Sequence, residues 1–209
     1  MIQAAAIKPY YDQDGITIYH GDCREILPTL GRFDLLLTDP PYGLGDRLTG
    51  GTGKWGVHFL EPPMWDREAP PDGLIHECVL KADDSVIWGG NYYHLPPARC
   101  WLSWDKMQDH TSGHFEMAWT TLDLPTRSFR ESRVEAYSKG KFHPTQKPIG
   151  LIQWCVGFFP DAKSILDPFM GSGTTLLAAK LKGKQAVGIE LEERYCEIAA
   201  NRLAQGVLF

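Results

Sequence analysis

Between Ser164 and Glu190 the chain reads as strand, glycine-rich turn, helix, strand, acid. Ser164-Ile165-Leu166 is a short apolar strand, and Asp167-Pro168-Phe169-Met170-Gly171-Ser172-Gly173-Thr174-Thr175 follows it. A helix over Leu176–Leu181 leads to a second strand, Gln185–Ile189, closed by Glu190. This is the layout of a nucleotide-binding crossover in an α/β fold. Gly171 and Gly173 permit a tight turn and close approach of a ligand to the backbone. Glu190 lies 23 residues after Asp167, near the roughly 20 expected of an acid that bonds ribose hydroxyls. Position 176 is Leu, so the third glycine of the dinucleotide fingerprint is missing, and no Gly-Lys-Thr marks a phosphate loop. The pattern fits an adenosine without a pyrophosphate; the alternative is a tight strand–helix turn with Glu190 merely solvated.

A second strand end carries unusual chemistry. The apolar run Phe33–Thr38 predicts a buried strand, and Asp39-Pro40-Pro41-Tyr42 follows it. Ligands of open α/β sheets bind at that end of the strands. The prolines remove two N–H donors and leave their carbonyls as acceptors, Asp39 adds two acceptor oxygens, and Tyr42 offers a flat stacking face. Such a set suits an amine on a heteroaromatic ring. By itself the tetrapeptide is equally a proline-stiffened turn.

Other segments fill in the order. Residues 1–14 read as a surface lead-in and Ile16–His20 as a strand. Asp22 then stands at the N-cap of a short helix running to about Leu30, a capping role that competes with a ligand role. Glycines at 43, 45, 50, 51, 53 and 56 predict a mobile loop beside Tyr42, either a lid or a plain connection. A helix is expected over Gly73–Ala82, then strands at Ser85–Trp88, Arg99–Trp104 and Phe115–Thr120, the last two as an antiparallel pair. His110 and His114 have the spacing of metal ligands on a helix, but Thr111-Ser112-Gly113 favours a surface loop and no metal. Residues 125–147 carry six Lys and Arg against two Glu, a net +4 in a chain of net −5. That segregation is either the footprint of a phosphate-contacting loop or a solvated charged loop. Pro148 opens a helix over Ile149–Phe159, and Glu192–Leu203 is the last helix.

Bulk properties exclude several classes. With 209 residues the chain has room for one sizeable core. Its net charge rules out a uniformly basic nucleic-acid surface, and no apolar run approaches the ~20 residues that cross a bilayer. Residues 1–8 lack the pattern of a secretory signal. The five scattered cysteines form no Cys-x-x-Cys pair, which points to reduced thiols in a cytoplasmic protein without a zinc or disulfide framework.

Asp39-Pro40-Pro41-Tyr42, His143-Pro144-Thr145-Gln146-Lys147-Pro148 and Asp167–Thr175, in this order, resemble the β group of S-adenosylmethionine-dependent DNA amino-methyltransferases. The resemblance implies a Rossmann-like, seven-stranded, circularly permuted methyltransferase sheet with an antiparallel strand pair at one edge, in a single domain over 1–209. Residues 164–166, 185–189, 16–20, 33–38, 85–88, 99–104 and 115–120 would be its first to seventh strands. It implies Asp39, Pro40, Pro41 and Tyr42 as catalytic residues. Asp22, Cys23, Asp39, Thr145, Gln146, Lys147, Asp167, Phe169, Gly171, Ser172, Gly173, Thr174 and Glu190 would surround S-adenosylmethionine, with Lys147 near its carboxylate. Double-stranded DNA would meet loops at about 43–72 and 105–142, with Arg127, Arg130, Arg133, Lys139 and Lys141 as contacts. Asp at position 39 favours the N6 amine of adenine; a restriction–modification role, phage defence and an orphan regulator are equally open. An N4-cytosine enzyme, or a catalytically silent DNA-binding relative, is the alternative. Family members often dimerise, which allows a homodimer here.

Overall fold

The structure is a computed structural model; it describes residues 7–43, 68–107, 114–132 and 146–205. Among the described residues nine strands form one sheet: β1 (Tyr11–Gln13), β2 (Ile16–His20), β3 (Phe33–Thr38), β4 (Ala82–Trp88), β5 (Trp101–Asp105), β6 (Phe115–Thr120), β7 (Arg127–Arg130), β8 (Ser164–Asp167) and β9 (Gln185–Glu190). Their order across the sheet is β1-β2-β9-β8-β3-β4-β6-β5-β7. The helices are α1 (Cys23–Ile26), α2 (Asp72–Leu80), α3 (Ile149–Val156), α4 (Thr174–Leu181) and α5 (Glu193–Ala204).

The seven expected strands lie side by side, and the two additions correct the expected count. The supposed lead-in contains β1, which pairs antiparallel with β2 through Tyr11–Ile18. Within the basic segment, β7 runs parallel to β5. The antiparallel β5–β6 pair is therefore not the sheet edge: β7 covers β5, and β6 is bonded to β4. The strand expected at Ser85 begins at Ala82, two residues after α2 stops at Leu80.

Period-2 alternation explains why the middle of β3 is apolar on both faces. On β3, Leu35 and Leu37 face a core shared with α3, α4 and α5, whereas Leu36 faces the core beneath α1 and α2. All three leucines are fully buried. A strand covered by helices on both faces has no solvent side on which to place polar residues.

The functional consequence comes from where the connections diverge. β8 and β3 are parallel neighbours, paired at Leu35–Ile165 and Leu36–Leu166. From β8 the chain crosses to β9 on one side, and from β3 it crosses to β4 on the other. A crevice opens at the C-terminal strand ends where such crossovers part. Both sequence motifs, at 39–42 and 167–175, start there.

At the opposite end of the same pair, one Asp34 carboxylate oxygen accepts the backbone N–H groups of Lys163 (2.7 Å) and Ser164 (2.8 Å) and the Ser164 hydroxyl (3.0 Å). These bonds hold its carboxyl below the usual range, the Lys163 N–H foremost. The stabilisation is present when Asp34 is ionised and is lost as pH falls through the lowered pKa. Asp34→Ala is expected to cost about 1 kcal/mol at neutral pH, water competing at this partly exposed site. Urea unfolding measures the loss, and the gap to the unmodified protein should narrow on acidification.

Candidate active site

A cavity of about 320 Å³ lies at the divergence of β8 and β3. It is lined by the strand ends and the turns that follow them. Gly21 and Asp22 come from the end of β2, Asp39 and Pro41 from β3, Trp88 from β4, Asp167–Ser172 from β8, and Glu190 from β9. Its volume is in the range of small-molecule sites. Among the described residues five acids line it (Asp22, Asp39, Glu68, Asp167 and Glu190) against two cations, Arg24 and Lys147. Such a lining suits a cationic ligand.

The turn after β8 is built for close approach. Gly171 (φ +50°) and Gly173 (φ +78°) adopt left-handed backbone, and a Cβ at Gly173 would meet the Ala199 Cβ at 2.7 Å. Glycine thus lets α4 begin against α5. The Glu190 carboxylate spans the turn, accepting the N–H groups of Gly171 (2.9 Å) and Glu192 (2.8 Å). Burial raises its pKa to about 7. Asp167 is buried and accepts the Thr38 hydroxyl at 2.7 Å and the Phe169 N–H at 3.2 Å. Burial raises it to about 6.

Asp39 begins a buried ionic chain. Its two oxygens accept hydrogen bonds from the Tyr42 hydroxyl and the Lys147 ammonium. Lys147 Nζ also lies 3.0 Å from Glu116 Oε2 and 3.4 Å from the Tyr42 hydroxyl. Glu116 Oε1 in turn pairs with Lys106 at 2.8 Å. Burial alone would lower the Lys147 pKa, but the Asp39 and Glu116 carboxylates raise it well above the ordinary value. Burial pushes the Asp39 carboxyl up, and Lys147 opposes it. For Glu116 burial is outweighed by Lys147 and Lys106, which bring it down to about 2.

Tyr42 is fixed on both sides. Its ring stacks on the half-exposed Tyr92 at 4.8 Å and 16°. A Cβ at Gly89, itself at φ +67°, would fall 2.0 Å from Tyr42 Cε1. The Tyr93 hydroxyl donates to the Pro41 carbonyl and braces the loop.

Most of the expected site residues converge. Asp22, Cys23, Asp39, Gln146, Lys147, Asp167, Phe169, Gly171, Ser172, Thr174 and Glu190 line the one cavity; Pro40, which is buried, Tyr42 and Gly173 are not in its lining. Asp22 caps α1 through the Arg24 N–H (2.9 Å) and also binds the Arg24 guanidinium, so it serves as cap and cavity wall at once. The Lys147 ammonium is directed at carboxylates of this chain, not held out for a ligand's carboxylate. Arg127 and Arg130 lie on β7; Arg130 is engaged by Asp105 at 3.1 Å. Thr145, Arg133, Lys139, Lys141, His110, most of the 43–72 loop and much of 105–142 lie outside the described residues. Glu116 and Lys106 were not anticipated. The available signal was phase: Glu116 shares its side of β6 with the buried Ala118 and Thr120, an odd position for a lone acid.

The profile of the DNA methylase family, which covers N6 and N4 enzymes, matches residues 81–201. The chain belongs to this family. It is thus one of the S-adenosylmethionine-dependent DNA amino-methyltransferases. A relative, the type II methyltransferase M.ScaI of Streptomyces caespitosus, is 26% identical over 97% of this chain and 86% of its own length. The solved M1.HpyAVI–SAM complex superposes with a TM-score of 0.58 at 22% identity, over 90% of this chain and 99% of that one. The PvuII cytosine-N4-specific DNA methyltransferase does so with 0.62 at 17%, over 99% and 92%. At these identities the two structures speak for the fold. Among the described residues of this methyltransferase, no helix is long and apolar enough to cross a membrane, and no cluster of three His, Cys, Asp or Glu could hold a metal ion.

Gly89→Ala is expected to displace Tyr42 and lower methyl transfer by about a hundredfold or more, since small misplacements at a reacting centre are that costly. Far-ultraviolet circular dichroism should be unchanged, and a labelled-methyl assay reads the loss.

Proposed function

We propose that this methyltransferase moves the methyl group of S-adenosylmethionine to the N6 amine of adenine in double-stranded DNA, with the base extruded into the cavity. The observation that carries the reading is that Asp39 and the Asp167–Ser172 turn line the same cavity.

The residues present fit the cofactor. The acid-rich lining suits a sulfonium cation, and Glu190 carries unused acceptor lone pairs for ribose hydroxyls beside the Gly171 backbone. Phe169 and Leu191 supply apolar wall. Asp22 faces the adenine end in this arrangement, with Cys23, Gln146, Ser172, Gly173 and Thr174 around it. Bound S-adenosylmethionine supplies an electrophilic methyl group.

The target amine is conjugated with its ring and is a poor nucleophile. Asp39 and the Pro40 carbonyl accept its two N–H groups, which favours tetrahedral nitrogen and aims its lone pair into the cavity. The bound sulfonium would supply the methyl group to that lone pair, and Asp39 would take the proton that the methylated nitrogen sheds. Tyr42 offers the stacking face, which Tyr92 yields or shares when a base enters. Loops at 43–72 and 105–142, with Arg127 and Arg130, are assigned to DNA contact on their charge. Asp at position 39 favours adenine; a cytosine N4 amine poses the same chemistry and is the second reading.

Incubation with labelled S-adenosylmethionine and unmethylated DNA should yield N6-methyladenine on nucleoside analysis. N4-methylcytosine would overturn the choice of base, and no product would overturn the activity. Asp39→Ala should abolish transfer while leaving cofactor affinity within about threefold, because its role lies in the transition state. Cofactor affinity should rise as pH passes upward through about 7, where Glu190 ionises. Glu190→Gln should flatten that dependence in isothermal titration.

A further inference from the structure

We propose that Arg202 is a positioning residue for cofactor binding: from the last helix its guanidinium holds the Ser172–Gly173 peptide in the orientation that shapes the cavity wall. The inference rests on the reading that S-adenosylmethionine lies against the turn after β8.

That turn has a backbone with a choice of conformations. Gly171 (φ +50°) and Gly173 (φ +78°) flank Ser172. Glycine adopts left- and right-handed backbone with similar ease, so by themselves the two glycines leave the peptide planes between them able to rotate. Gly171, Ser172 and Thr174 line the cavity, so a rotated peptide would change its wall. Neighbours make the choice. From β9, the Glu190 carboxylate accepts the Gly171 N–H at 2.9 Å, and the Ile189 carbonyl accepts the Met170 N–H at 3.1 Å. From α5 come Ala199 and Arg202, three residues apart and so on one face of the helix. Ala199 packs against Gly173 closely enough to exclude a Cβ there. Arg202 reaches Ser172.

One nitrogen of the Arg202 guanidinium donates to the Ser172 carbonyl and lies 3.2 Å from the Ser172 hydroxyl and 3.4 Å from the Thr174 hydroxyl. At the other end of the same peptide, the Gly173 N–H donates to the Met170 carbonyl at 2.9 Å. The Ser172–Gly173 peptide is thus held at both ends, and the bond from Arg202 is charge-assisted, the stronger kind. Ser172 is 3% exposed, so water offers its carbonyl little substitute. The Ser172 hydroxyl also donates to Gln146 Oε1 at 3.5 Å, which extends the hold to the residue beside Lys147. Burial lowers the Arg202 pKa to about 10, which leaves it a cation at neutral pH. Arg202 is not in the cavity lining, so it acts through the turn and not on the ligand.

Without Arg202 the Ser172 carbonyl would be buried without its cation, and the peptide could rotate about Gly173. The cofactor would then meet a turn that is in its binding orientation only part of the time, and its apparent affinity would fall by that fraction. Once bound, it would sit as before, so the chemical step would be little changed.

Arg202→Met keeps an apolar stem and removes every donor. Isothermal titration without DNA should show Kd for S-adenosylmethionine raised about tenfold or more, with a matching rise in KM and kcat within about threefold of the unmodified enzyme. Amide hydrogen exchange at Gly173 should quicken in the variant while β3 and β8 keep their protection. A merely structural Arg202 would lower the melting temperature but leave the Kd of the folded protein unchanged, and that result overturns the proposal. Arg202→Lys keeps the charge without the guanidinium fork and should give an intermediate Kd. It carries the test if the Met variant does not fold, and a Kd equal to that of the unmodified enzyme would then overturn the proposal. In the unmodified enzyme, saturating S-adenosylmethionine should slow exchange at residues 171–174. No slowing there defeats the placing of the cofactor against this turn; slowing there beside an unchanged Kd in Arg202→Met defeats only the role of Arg202.

Discussion

Parallel pairing of β3 with β8 sets two turns side by side that are more than a hundred residues apart in the chain. Asp39-Pro40 follows β3 and Asp167-Pro168 closes β8, with Asp167 one residue past the Leu36–Leu166 pair and Asp39 three past it. The Thr38 hydroxyl then bonds the Asp167 carboxylate across the gap, one residue before Asp39. Everything the cavity can do depends on this juxtaposition, because neither turn alone encloses a ligand. Circular permutation leaves it intact. Residues 16–38 precede 164–190 in the chain, yet β2 still pairs with β9 and β3 with β8.

Around that junction four charged side chains lie in contact, Lys106 and Lys147 buried, Asp39 and Glu116 partly so. Burial of an ion is costly unless partners are supplied. Here Asp39, Lys147, Glu116 and Lys106 supply them to one another in sequence. Asp167 and Glu190 are treated differently: they receive backbone N–H groups and hydroxyls, and burial lifts their pKa values to about 6 and about 7. The cavity therefore pairs an acid beside a cation, at β3, with acids that lack one, at β8 and β9. In the proposed reaction the first faces the amine and the second face the sulfonium donor.

Much of this was legible in the sequence because it is local. Phe33–Thr38, Ile16–His20 and Phe115–Thr120 are strands with the bounds their apolar runs imply. The Gly-Ser-Gly turn and Glu190 announce the crossover by spacing. What escaped is what depends on distant partners. The strand β1 is short and half exposed, and only pairing with β2 makes it a strand. The helix α2 ends before Ala82 because that residue joins the ladder with Phe33. Lys147 belongs to a motif, but its partner Glu116 is a single acid on a strand, and no periodicity reveals what a side chain will meet across a sheet.

The most direct measurement is a crystal structure with bound S-adenosylmethionine. The account predicts the cofactor in the cavity between Phe169 and Glu190, its methyl carbon facing Asp39 with room for one nitrogen between them, at a reacting separation of about 3 Å from that nitrogen. A cofactor bound elsewhere, or one whose methyl group points away from Asp39, would contradict it.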